Sequence, residues 1–150
     1  LDVQFQECNW SDFYIYLELE EVPGEAQKQY LEQVFDAWYT LGLLGGYNAT
    51  ALQIQDSNVE DISYLEYKSD QEQLPSLMHN MGSFDYEGNW VRCWFDLGTT
   101  DAVALDIILN ALATLSVEYV PIEKVILSSV AVEAWPNNES LDNQGESRWN

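Results

Sequence analysis

Residues 12–20, DFYIYLELE, alternate strictly: Phe13, Ile15, Leu17 and Leu19 fall on one side, Tyr14, Tyr16, Glu18 and Glu20 on the other. A period of two is that of a β-strand, whose successive side chains point to opposite faces. Residues 90–97 repeat it, with Val91, Cys93, Phe95 and Leu97 against Trp90, Arg92, Trp94 and Asp96. Between these strands the period changes. After Pro23-Gly24, apolar residues recur at helical spacing from Glu25 onward (Leu31, Val34, Phe35, Trp38, Leu41), and Gly42 with Gly45-Gly46 supplies a stop. Residues 51–55 carry a faint strand pattern and 62–67 a clearer one, followed by a polar loop over 68–74 before Pro75. Glu87-Gly88-Asn89 separates the aromatic run 84–86 from residues 90–97, which predicts a β-hairpin.

The stretch 90–121 reads as a strand, a turn and one very apolar helix. Gly98 lets the backbone bend, Thr99 or Thr100 can accept the first free helical N–H groups, and Asp101 places negative charge at the positive end of the helix dipole. Leu105, Ile108, Leu109, Leu112 and Leu115 then follow helical spacing until Pro121, which cannot continue the helix. Its polar residues form one narrow stripe, Asp106, Asn110, Thr114 and Glu118, so most of its girth is expected in the core. A β-branched run, 122–132, closes the fold, and the aperiodic remainder predicts one domain over 1–132 with a mobile acidic and polar tail over 133–150.

The order strand, helix, two or three strands, helix, strand predicts an α+β fold of the ferredoxin-like, split βαβ kind: a mostly antiparallel sheet with two helices on one face. The apolar sides of the two alternating strands would meet the helices. Their other sides, Tyr14, Tyr16, Glu18 and Glu20 with Trp90, Arg92, Trp94 and Asp96, are left open unless residues 68–82 or the tail fold over them.

Charge changes the picture of partners. Twenty-six acidic residues against five basic ones give a net charge of −21, which repels nucleic-acid phosphates and anionic lipid headgroups. It favours a protein partner with a basic surface, and it favours solubility just as readily. Six Trp, nine Tyr and five Phe set the chain apart from disordered acidic sequences. Cys8 and Cys93 are too few for a disulfide framework and read as unpaired thiols in a reducing compartment. The first ten residues carry neither a basic nor an apolar signal region, and the apolar helix is interrupted by Asp106 and Asn110, so neither secretion nor a membrane span is expected. The glycosylation sequons at Asn9, Asn48 and Asn138 then read as chance matches.

Five segments together, DVQFQE, QKQYLEQVFDAWYTLGLLGGYNA, DISY, LMHNMG and above all YEGNWVRCWFDLGTTDAVALD, resemble a family of proteins of unknown function from cyanobacteria and plant plastids. The resemblance covers most of residues 2–127. It implies an oxygenic phototroph, a photosynthesis-associated setting and a cytoplasmic or stromal location, and it carries no catalytic residue over.

Candidate chemistry is sparse. His79 is the single histidine; beside Met78 and Met81 it suggests a soft metal, but no second His or paired Cys accompanies it. Asp96 and Asp101 bracket the Gly98 turn and with His79 define the alternative of a small metal-assisted enzyme. Gly42, Gly45 and Gly46 lack the Lys and spacing of a phosphate loop, and no cofactor motif is present. The leading expectation is a non-catalytic binding, assembly or regulatory factor. It docks a protein through Tyr14, Tyr16, Trp90, Arg92 and Trp94, with Arg92 stacked between its two Trp neighbours and an acidic rim around them. A homodimer formed through the same face or the apolar helix is the other alternative.

Overall fold

The computed structural model describes residues 1–48 and 76–136, which form seven elements: β1 (Asp2–Gln6), β2 (Phe13–Leu19), α1 (Glu25–Leu43), β3 (Asn80–Glu87), β4 (Trp90–Asp96), α2 (Val103–Glu118) and β5 (Ile122–Ser128). The strand candidates at 51–55 and 62–67, the loop at 68–74 and residues 137–150 of the expected tail lie outside the described residues.

The two alternating strands pair antiparallel, Phe13 opposite Phe95 and Leu17 opposite Val91, and sit at the middle of a five-stranded sheet ordered β1-β5-β2-β4-β3. β5 and β3 flank them, each antiparallel to its neighbour, while β1 adds to the outside of β5 in parallel. The fold is thus α+β with a mixed sheet. β1 has no counterpart among the expected strands: five residues with half-exposed burial are too short for a clear period.

Period two translates directly into packing. Phe13, Ile15, Leu17, Leu19, Val91, Cys93, Phe95 and Leu97 share one buried cluster with Leu31, Phe35 and Trp38 of α1 and with Ala104, Leu105, Ile108, Leu112 and Leu115 of α2. Both helices therefore cover the same sheet face. Phe95 is at its centre, its ring 5.3 Å from Trp38 and 5.8 Å from Phe35, and each such side chain gains roughly 1.5–3 kcal/mol by leaving water. The stripe Asp106, Asn110, Thr114 and Glu118 is exposed throughout, as its spacing of four requires.

Several local expectations are corrected. Leu41 is exposed; the buried position in that turn is Gly42, against which the Met78 side chain is pressed so closely that a Cβ would lie 2.3 Å from its sulfur. α2 begins at Val103 without a side-chain cap, because the threonines expected there are otherwise placed. Thr99 Oγ1 accepts from the Leu77 N–H (3.1 Å), and Thr100 is buried with its hydroxyl unpartnered among the described residues while its carbonyl accepts from the Trp10 indole (2.8 Å). The closing strand ends at Ser128 rather than Val132, since the Ser128 hydroxyl donates to the Val130 carbonyl (2.7 Å) and accepts from its N–H (3.0 Å), turning the chain out of the ladder. The hairpin forms as expected, Gly88 supplying the left-handed turn residue with φ 59°.

Candidate functional site

The face of the sheet away from the helices carries the side chains that the sequence singles out. Register brings them together: Tyr14 lies opposite Trp94, Tyr16 opposite Arg92, and Glu18 opposite Trp90. They do not form one open surface. Tyr16, Trp90, Ile126, Val132 and Trp135 make a second buried cluster, with Tyr14 packed at its edge. The cover is the segment after β5. Trp135 falls in the stretch expected to be tail, yet it is 2 % exposed, its ring set edge-on to Tyr16 at 5.8 Å.

Arg92 is consequently enclosed. Its guanidinium carbon lies 4.5 Å from the Tyr14 ring, 4.5 Å from the Trp135 ring and 6.0 Å from the Tyr16 ring, so the aromatic sandwich uses Tyr14 and Trp135 in place of the two expected Trp neighbours. Trp94 is held by Asp12 and Trp90 belongs to the second buried cluster, whereas Tyr14 lies diagonally across from Arg92 on β2 and Trp135 comes over it from beyond β5. Nε donates to Asp85 Oδ2 at 3.0 Å, and that carboxylate remains 40 % exposed. Nη1 and Nη2 are buried without a hydrogen-bond partner. Burial pushes the Tyr14 and Tyr16 hydroxyls above their usual range, the nearby Arg92 charge pulling the other way in both.

The end of this face around Trp94 is accessible. Trp94 and Tyr14 are half-buried and border an open concavity of about 740 Å³, completed by Ser11, Asp12, Asp96 and Ser129. The Trp94 indole donates to Asp12 Oδ1 (2.7 Å), which holds the ring, and Gly82 behind it leaves room for its Cβ at 3.3 Å from where a side chain would begin. Asp12 is fixed in turn: the Ser129 hydroxyl donates to its carbonyl (2.6 Å) and accepts from the Asn9 N–H (2.6 Å). Asp96 Oδ1 accepts from the Gly98 N–H (2.9 Å). The outcome is a preformed recess with two carboxylates and two aromatic rings, the composition that recognises a cationic side chain.

Of the alternative metal set, His79 and Asp96 do meet, Nδ1 to Oδ2 at 3.5 Å. Asp101 does not join them: among the described residues no three His, Cys, Asp or Glu side chains are grouped to hold a metal. Met78 belongs to the core and Met81 packs against it. Cys8 and Cys93 are both unpaired; the Cys93 thiol donates to the Gly82 carbonyl (3.3 Å) and is pushed up to about 12, chiefly by burial and then by Asp85, Asp36 and Glu32, so it is an inert core thiol. Among the described residues no helix is long and apolar enough to cross a membrane.

Asp12, Asp85, Ser129 and Trp135 were not legible as site residues. Asp85 could have been found by counting back across the Gly88 hairpin from Arg92, and Trp135 by its spacing from Val132 in an otherwise polar segment.

Residues 1–143 match the family described as protein of unknown function (DUF3531), and the chain belongs to that family. No curated protein and no solved structure matches it.

Proposed function

We propose that this DUF3531 member is a non-catalytic binding or assembly factor whose sheet face docks a protein with a basic surface. The observation that carries the reading is the recess at Trp94: an indole held in place by Asp12, with Asp96 and Tyr14 beside it, on a chain of net charge −21. Trp94 is the anchor. Tyr14 already has Arg92 against its ring, so an incoming cation finds the freer π surface on Trp94. The acidic surroundings would set the association rate and its salt dependence, and the desolvated anchor the residence time. Tyr16, Trp90 and Arg92 support this surface from beneath, because they are covered.

The setting we propose is the cytoplasm of a cyanobacterium or the stroma of a plastid, supported by the resemblance of the long motif around Trp94. The ferredoxin-like, split βαβ description belongs to the same proposal: the order β5-β2-β4-β3 and its antiparallel pairing support it, with β1 as an added edge.

The test is an NMR titration with an arginine-rich peptide. Shifts should concentrate on the Trp94 indole and Asp12 and fade with added salt. Trp94→Ala should weaken binding by about 2 kcal/mol while changing stability by less than about 1 kcal/mol, the signature of an interface anchor. Shifts spread evenly over the acidic surface would refute the recess as the site.

A further inference from the structure

Arg92 is one of five basic residues in the chain, and the fold places its side chain in the interior with 0 % exposure. A buried guanidinium is tolerated when its donors are satisfied, and costs stability when they are not. Here Nε is satisfied by Asp85, while Nη1 and Nη2, the pair whose geometry matches a carboxylate fork, make no hydrogen bond of ordinary length among the described residues; the Tyr16 hydroxyl beside the guanidinium offers one oxygen and not the two that a fork takes.

What encloses them is unequal. Tyr14 and Tyr16 belong to β2, at the centre of the sheet, whereas Trp135 lies on an irregular strap. Among the described residues no main-chain hydrogen bond ties residues 131–136 to the sheet; the one bond within them, Trp135 N–H to the Val132 carbonyl (3.1 Å), moves with the strap. Lifting Trp135 therefore breaks ring packing and leaves every ladder bond intact. The indole fills the space over the guanidinium and supplies no acceptor to Nη1 or Nη2.

We propose that Trp135 is a removable cover and that Arg92 beneath it is a binding site for an aromatic group carrying a carboxylate. The aromatic group refills the space against Tyr16, and the carboxylate accepts from Nη1 and Nη2. A single carboxylate suits the site better than a phosphate, because Asp85 and the overall charge oppose a second negative charge. This site does not depend on the docking of a basic partner at Trp94.

The experiment is calorimetry on Trp135→Ala with N-acetyltryptophan and with its neutral amide, N-acetyltryptophanamide. The acid should bind at least about tenfold more tightly than the amide, and at least about tenfold more tightly than it binds the unaltered protein, which must first release its own indole. Arg92→Met in the same background should erase the preference for the acid. A peptide ending in Trp with a free carboxylate serves as the second arm: tighter binding than the single amino acid assigns the site to a polypeptide C-terminus, and equal binding to a small aromatic acid. Equal affinity for acid and amide, or no binding of either, overturns the proposal. So does a Trp135→Ala protein that is unfolded at 25 °C, since Trp135 would then be core and no cover.

Discussion

The two faces of the sheet are made by the same strands and solved in different ways. On the helix side, every residue that β2 and β4 contribute is apolar, and two helices supply a matching surface; the few polar groups there are paired, the Trp38 indole donating to the Ala104 carbonyl (2.9 Å) and the Tyr86 hydroxyl to Glu32 (2.7 Å). On the other side the same strands present Tyr14, Tyr16, Trp90, Arg92 and Trp94, and the cover is a short strap anchored by Val132 and Trp135. The first face is stabilised by area and close packing. The second carries a charge that the fold only partly satisfies, and it stays half accessible at Trp94. A layer that costs this much polar burial, yet is not sealed, is the place to look for recognition.

The largest effect that separates the faces is expected at Phe95. Its ring touches Phe13, Phe35 and Trp38, so Phe95→Ala should lose about 3–5 kcal/mol in urea unfolding, the cost of a large cavity that helices on a sheet cannot collapse. A loss below about 1.5 kcal/mol would mean that the helix face is not the core it is argued to be.

Alkaline pH probes the same layer through Cys93. Its thiol is raised to about 12 in the folded chain, while an unfolded cysteine ionises near pH 8.5–9, so between these values only the unfolded state loses the proton. The stabilisation is complete below about pH 9 and disappears as pH approaches 12, so the melting temperature should fall over that window. Cys93→Ala should show a shallower fall. Identical slopes for the two proteins would remove Cys93 from the account.

The smallest effect is expected at Arg92. Arg92→Met keeps a long, flexible side chain between the Tyr14 and Trp135 rings and removes two unpartnered buried donors, and Asp85 is exposed enough to be hydrated once its partner is gone. Stability should stay within about 1 kcal/mol of the unaltered protein, as when buried ionic groups are replaced by apolar ones of similar size. A loss of several kcal/mol would make the covered face a second core and erase the contrast.

Alternation in 12–20 and 90–97, the helical spacing of α1 and α2, the polar stripe of α2 and the Gly88 hairpin are local patterns, because period and turn chemistry follow from backbone geometry within a few residues. They sufficed for the α+β class, for most of the helix-side core (Leu41 excepted, and without Tyr47 and Met78) and for which residues share the other face. They could not say what covers that face. Trp135 comes seven residues after β5 ends, in a segment without period, and its burial depends on Arg92 and Tyr16 being adjacent across two strands that are far apart in the chain. The exposed end of the face was likewise decided by tertiary contacts, since Asp12 grips Trp94 from the turn before β2 and Ser129 braces Asp12 from beyond β5. Side-chain period assigns a residue to a face; whether that face meets water depends on distant segments whose positions only the folded chain brings together.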